Sequence, residues 1–289
     1  MRSEIENKMK SLAQDMLSSG KAKRVLAWRI GELPAYPEPG FFSDVDDLAN
    51  LIYTRFCSTN LSKYLIEADS EPGVTLVFLR PCDTYSCNML LKANQIKREN
   101  IYIAGIGCDG CAKVDEGEEI GNLDVCDTCT KTTHAVYDEL IGADYHPRAT
   151  TNKTDRFNGV TTIESMNSSE KYAFWKTQLA KCIRCNACRN ICPICHCKDC
   201  VFDTTKFDSR RKVNISAFEE QQFHIVRAFH VAGRCTDCGR CQSVCPTAIP
   251  INLLNRKFIK DINEMYGEFQ AGEDIEAPSP LTSFDLEND

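Results

Sequence analysis

One cysteine phrase occurs twice in this chain, as Cys182-x2-Cys185-x2-Cys188-x3-Cys192-Pro193 and as Cys235-x2-Cys238-x2-Cys241-x3-Cys245-Pro246. Thiolates at these short, repeated spacings wrap [4Fe–4S] clusters, so this half of the chain is expected to fold around two inorganic cores and to carry electrons. Pro193 and Pro246 turn the backbone out of each loop and have no amide hydrogen to leave unpaired. Paired Cys-x2-Cys units also build structural zinc sites, but four cysteines per phrase with the same terminal proline are too many and too regular for that. A disulfide framework suits small secreted domains, and nothing in the sequence looks secreted.

In two-cluster proteins of this kind the fourth cysteine of each run reaches across to the other cluster. One cluster is therefore expected on Cys182, Cys185, Cys188 and Cys245, and its neighbour on Cys235, Cys238, Cys241 and Cys192. The 289 residues suggest two domains, and 43% apolar residues suffice for an ordinary core. The formal charge of −7 becomes more negative once clusters bind, because each adds about −2 with its thiolates. Nucleic acid binding needs a basic footprint that is missing, while a basic patch on a redox partner would suit this chain. The first residues have no signal-type apolar core and no stretch has the length to cross a bilayer, so a cytoplasmic location with no membrane insertion is expected.

Residues 1–149 alternate helical and strand-like segments. Ile5, Met9, Leu12 and Met16 recur at helical spacing up to Gly20, and Arg24–Trp28 reads as a strand. Ser43-Asp-Val-Asp46 resembles a capping box for a helix through about Tyr53. Val74–Leu79 reads as a buried parallel strand, followed by a helix near 83–97 and a strand at Ile101–Ala104. The fold expected is an α/β domain with a mainly parallel sheet, then a polar linker at 150–169, an α-rich two-cluster domain at 170–268 and an acidic tail at 269–289, extended unless a partner holds it. Within 170–268 a helix is expected through Tyr172, Phe174, Trp175 and Leu179. A second, capped by Ser216 and Glu219, should present Phe223, Val226 and Phe229 on one face and stop at Gly233. A third, after Pro250, should turn Leu254, Phe258, Ile262 and Met265 inward.

The N-terminal region has cysteines of its own. Cys82 follows one predicted strand and Cys108 the next, and adjacent parallel strands bring such ends together at the carboxyl edge of a sheet. Cys126 and Cys129 have chelating spacing. These four are expected to hold a third [4Fe–4S] cluster, with Cys57 as the main alternative ligand and Cys87 and Cys111 as packing. Gly105-Ile-Gly107-Cys-Asp-Gly110 formally matches a dinucleotide fingerprint, but no helix opens after it and acidic residues follow where a phosphate would sit. The glycines fit better as a backbone that approaches the cluster, so that its amides bond to sulfur.

These residues carry a resemblance. Arg80-Pro-Cys82-Asp, Asn100 through Gly110, Cys126-x2-Cys129, and the cysteine runs from Arg184 to Cys200 and from Gly239 to Pro246 are similar to the beta subunits of coenzyme F(420) hydrogenases and formate dehydrogenases, in a short form with a C-terminal ferredoxin region. The resemblance implies the same four N-terminal ligands and FAD beside the first cluster. Where that family has a glycine-rich turn before the first helix, this chain reads Glu6-Asn-Lys-Met-Lys-Ser, and only about fifty residues separate Cys129 from Cys182. The leading expectation is thus an iron–sulfur subunit of a hydrogenase, formate dehydrogenase or heterodisulfide-reductase-like complex, with catalytic or flavin-containing subunits as partners. The alternative is a flavin-containing subunit that reduces or oxidises a deazaflavin or nicotinamide carrier. Cys195, Cys197 and Cys200 could take zinc with His196, although packing around the clusters is the simpler reading. His224 and His230 read as core or cluster-shielding residues. No catalytic acid–base pair or nucleophile is evident, and no cofactor-binding residues are assigned beyond the thiolates.

Overall fold

The computed structural model describes residues 2–142, 155–202 and 217–281, and the chain divides into two compact units, Met1–Asp155 with Ala271–Ala277, and Arg156–Gln270 with Pro278–Asp289. In the first unit α1 (Arg2–Ser18) buries Ile5, Met9, Ala13 and Met16, the stripe its helical spacing announces. It covers a sheet of β1 (Arg24–Arg29), β2 (Glu38–Phe42), β3 (Thr75–Leu79), β4 (Ile101–Ile106) and β7 (Glu139–Ile141), in the order β2-β1-β3-β4-β7. Pairing is parallel from β1 through β7, and only the edge strand β2 runs antiparallel. All five residues of β3 are buried, as expected where a parallel strand is covered on both faces. Between these strands lie α2 (Leu65–Asp69), α3 (Pro81–Lys92), the antiparallel pair β5 (Ala112–Asp115) and β6 (Glu118–Asn122), and α4 (Asp124–Asp127).

The helix expected to begin at Ser43 is reduced to one 3-10 turn, Asp46–Asn50. Its continuation is taken by β1: Ile30 donates to the carbonyl of Asn50, and Ile52 donates to that of Trp28. Backbone groups spent on the end of a strand cannot also close a helix. The helix after β3 starts earlier than 83, because Pro81 sits in its first turn, where its missing N–H costs nothing.

α3 is buried on almost every side, polar residues included. Asp83 is met by Arg80, Thr84 Oγ1 accepts from the amide of Ala135 at 3.0 Å, Ser86 Oγ accepts from Asn60 Nδ2 at 3.0 Å, and Asn88 donates to the carbonyl of Gly272 at 3.0 Å. The last bond belongs to Ala271–Ala277, the opening of the predicted acidic tail, which belongs to the first unit. Gly272 has φ +79°, and a Cβ there would lie 2.0 Å from the carbonyl oxygen of Tyr85. Glycine alone permits that approach.

In the second unit α5 (Asn158–Glu164) occupies part of the stretch expected as a linker. It is followed by α6 (Ser168–Leu179), α7 (Ala187–Asn190), α8 (Ala217–Val231), α9 (Arg240–Ser243) and α10 (Ile251–Tyr266). Asn167 and Glu170 form a reciprocal capping box at α6. The predicted cap at Ser216 lies outside the described residues. Two predicted helix faces shift. Phe223 and Ala228 are buried on α8 while Phe229 is 62% exposed, and α10 turns in Ile251, Asn255, Ile259 and Ile262 while Met265 is 67% exposed. Apolar character alone chose those faces from the sequence; in the fold, the side of each helix near the cysteine loops is buried, polar residues included. Among the described residues no helix is long and apolar enough to cross a membrane.

Candidate iron–sulfur centres

The two cysteine phrases fold alike. Arg184 and Asn186 have φ +53° and +61°, and the corresponding Asp237 and Gly239 have +54° and +68°. Left-handed residues at these two positions coil each loop so that amides face inward, the concavity that suits an anion; the amide of Arg184 donates to Cys182 Sγ at 3.3 Å. Each loop then enters a four-residue helix whose first bonds are to Asn186 O in α7 and to Gly239 O in α9. Cys192 closes onto Arg189 O at 3.2 Å and Cys245 onto Gln242 O at 3.1 Å.

Cys182, Cys185, Cys188 and Cys245 line one small cavity, together with Phe223, His224, Pro246 and Ile251 among others. The other four predicted ligands are electrostatic neighbours: Cys235 senses Cys238 and Cys192, and Cys241 senses Cys192 and Cys238. Burial pushes the thiol of Cys241 up to about 12 and that of Cys182 to about 11. Cys192 moves the other way, to about 5, chiefly through the hydrogen bond from Cys195. Protons resisting removal from buried thiols are displaced when iron binds. Both ring nitrogens of His224 are buried without a hydrogen-bond partner, and burial followed by Arg227 brings its pKa down to about 4. It lines the cavity as a neutral ring. His230, expected beside it as a shield, is exposed, because it stands on the other side of α8.

Ion pairs tie these loops to the helices. Arg184 Nε donates to buried Glu220 at 2.9 Å, and its guanidinium lies 4.1 Å from the ring centre of Phe223. Asp237 accepts from Arg256 of α10 at 2.8 Å, with Arg156 at 3.8 Å. Arg227 of α8 donates to the carbonyl of Cys188 at 2.9 Å.

In the first unit Cys82 stands in the first turn of α3 and Cys108 just beyond β4. The amide of Gly110 donates to Cys108 Sγ at 3.4 Å and that of Cys111 to Cys126 Sγ at 3.3 Å, so the glycine loop does turn its amides toward sulfur. The thiol of Cys108 is held well above its ordinary range by its hydrogen bond with Cys111, by burial and by the nearby charges of Cys111 and Cys82. Cys129 and Cys82 both bear on Tyr85. Cys111, expected as packing, is buried beside these cysteines, and its sulfur accepts from Arg80 Nη1 at 2.9 Å. Cys57 takes its hydrogen bond locally, from the amide of Thr54 at 3.2 Å, and Cys87 lies in the apolar core. Among the described residues no three His, Cys, Asp or Glu side chains converge on a site for a single metal ion; that includes Cys195, Cys197 and Cys200 with His196. A cluster is larger than an ion and holds its thiolates further apart, so convergence on a single ion does not bear on it.

Sequence reasoning missed Arg227, the environment of Cys111 and the buried pairing of Arg80 with Asp83. The paired positions 184/237 and 186/239 had a signal, the alignment of the two phrases, whereas a buried arginine on a helix has none.

Residues 178–249 match the family described as the 4Fe-4S dicluster domain. The F420-dependent formate dehydrogenase subunit beta of Methanocaldococcus jannaschii is 20% identical, covering 92% of this chain and 92% of its own length. The F420-dependent formate dehydrogenase 1 subunit beta of Methanococcus maripaludis is 21% identical over 94% of this chain and 92% of its own. A mainly parallel α/β unit thus precedes a 4Fe-4S dicluster domain in a chain homologous along nearly its whole length to the beta subunits of F420-dependent formate dehydrogenases.

Proposed function

We propose that this chain is an iron–sulfur electron-transfer subunit of a formate-dehydrogenase-type complex, with a catalytic subunit as its partner, and that it holds three [4Fe–4S] clusters. Cys182, Cys185, Cys188 and Cys245 would hold one, Cys235, Cys238, Cys241 and Cys192 the second, and Cys82, Cys108, Cys126 and Cys129 the third. The observation that carries the reading is the single cavity bordered by three cysteines of one phrase and the last cysteine of the other, the arrangement in which two clusters exchange their fourth ligand. The third cluster rests on the amides aimed at Cys108 and Cys126. When bound, the clusters accept and release single electrons. The chain's own contribution is to bury them, direct amides at their sulfurs and set charged side chains around them. Protein purified without oxygen should contain about twelve irons per chain, four per cluster, and about eight after Cys126→Ser with Cys129→Ser. Eight in the unaltered protein would remove the third cluster.

A second reading follows from the F420 dependence in the relatives' names. A deazaflavin exchanges hydride, and passing its electrons one at a time to clusters calls for a flavin. FAD released by acid from the intact complex would establish that reading, and its absence from a cofactor-replete preparation would end it.

A further inference from the structure

We propose that Arg227 is the fixed positive charge that sets the reduction potentials of both clusters in the dicluster domain, holding them above the values the thiolate cages alone would give. The proposal rests on the ligand assignment above. Arg227 is 2% exposed and projects from α8 with Nη2 on the carbonyl oxygen of Cys188, at 2.9 Å. Its Nε is buried and has no hydrogen-bond partner. Among the described residues no carboxylate pairs with it; the buried acid on the same helix, Glu220, is taken by Arg184.

A guanidinium in a protein interior without an anion is costly. Here the nearby anions are the thiolates. The groups its charge interacts with are Cys241, Cys192, Cys188 and Cys195. Cys188 belongs to one assigned cage, and Cys192 and Cys241 to the other, which places the charge between the two. A cluster gains a negative charge on reduction, and a nearby fixed cation favours the more negative state.

The test is redox titration of the full-length protein in its complex, prepared without oxygen, followed by electron paramagnetic resonance and paired with iron analysis. Cys241→Ser identifies the signal of the cluster assigned to Cys192, Cys235, Cys238 and Cys241. Arg227→Gln should keep its iron and shift both midpoints to lower potential. At a fixed potential the reduced-to-oxidised ratio of the cluster marked by Cys241→Ser should fall at least tenfold, about 59 mV for one electron. Arg227→Lys should remain close to the unaltered protein. Unchanged midpoints in Arg227→Gln with full iron would overturn the proposal, as would an equal shift in Arg227→Lys. Loss of iron from both variants would also overturn it, by making Arg227 a structural residue. If Cys241→Ser abolishes neither cluster signal, the ligand assignment itself fails, whatever Arg227→Gln does.

Discussion

Replacing Asp83 with alanine should destabilise the first unit more than any surface change could. Asp83 and Arg80 side chains are each 1% exposed, with Nε to Oδ2 at 2.7 Å and Nη2 to Oδ1 at 3.1 Å. Arg80 also donates to the carbonyls of Cys57 at 2.5 Å and Thr59 at 2.7 Å, and lies 5.0 Å from the ring centre of Trp28. Without Asp83 these neutral contacts remain and the buried cation loses its anion, a change that costs about 3–5 kcal/mol. Hydrogen exchange on peptides from β3 and α3 reads this directly. Their protection should fall by about two to almost four orders of magnitude, at about 1.4 kcal/mol per tenfold, while peptides from α10 keep theirs. Arg80→Met with Asp83→Ala should cost less than the two single changes added, since neither charge is then left alone. A loss under about 1 kcal/mol in Asp83→Ala, or strict additivity in the pair, would refute the assignment of a coupled buried ion pair.

Cys245→Ser should remove the same cluster signal as Cys182→Ser, and Cys192→Ser the other one; if Cys245→Ser instead removes the signal lost in Cys235→Ser, the clusters do not exchange ligands. Gly272→Ala forces a Cβ against the carbonyl of Tyr85, an overpacking worth about 1–3 kcal/mol. Limited proteolysis should then cut within 271–277 faster while α3 stays protected. Glu164, held below the ordinary carboxylate range by hydrogen bonds from Lys257 and Lys260, contributes stability that is present above the unfolded carboxylate pKa and lost as pH falls through the lower folded one. These side chains are partly exposed, so water screening limits the effect to about 1 kcal/mol or less. Glu164→Gln should flatten that part of the pH dependence of α10 exchange, and an unchanged profile would show that the contact is incidental.

Much of this arrangement is legible in residue order because its causes are local. Cluster spacing is a property of a few consecutive residues, and the alternation of Ile5, Met9 and Met16 or the unbroken run Val74–Leu79 reports burial along one element. Asn186 and Gly239 become comparable once the two phrases are aligned, since a left-handed turn needs such residues in either copy. The helix expected near Ser43 fails for a nonlocal reason, the capture of Asn50 and Ile52 by β1. The inward faces of α8 and α10 differ from those their apolar residues predict because their burial follows the cysteine loops they support.

By itself the sequence determined that an α/β unit is followed by a 4Fe-4S dicluster domain, because neighbouring cysteines and hydrophobic period need no distant partner to be read. Tertiary structure alone decided which charges share the interior with them. Arg227 reaches the carbonyl of Cys188, Asp237 meets Arg256, and Arg80 joins Asp83 to the sulfur of Cys111. Apart from Arg80 with Asp83, these groups lie far apart along the chain. A charge removed from water acts on whatever the fold places beside it, and residue order does not carry that information.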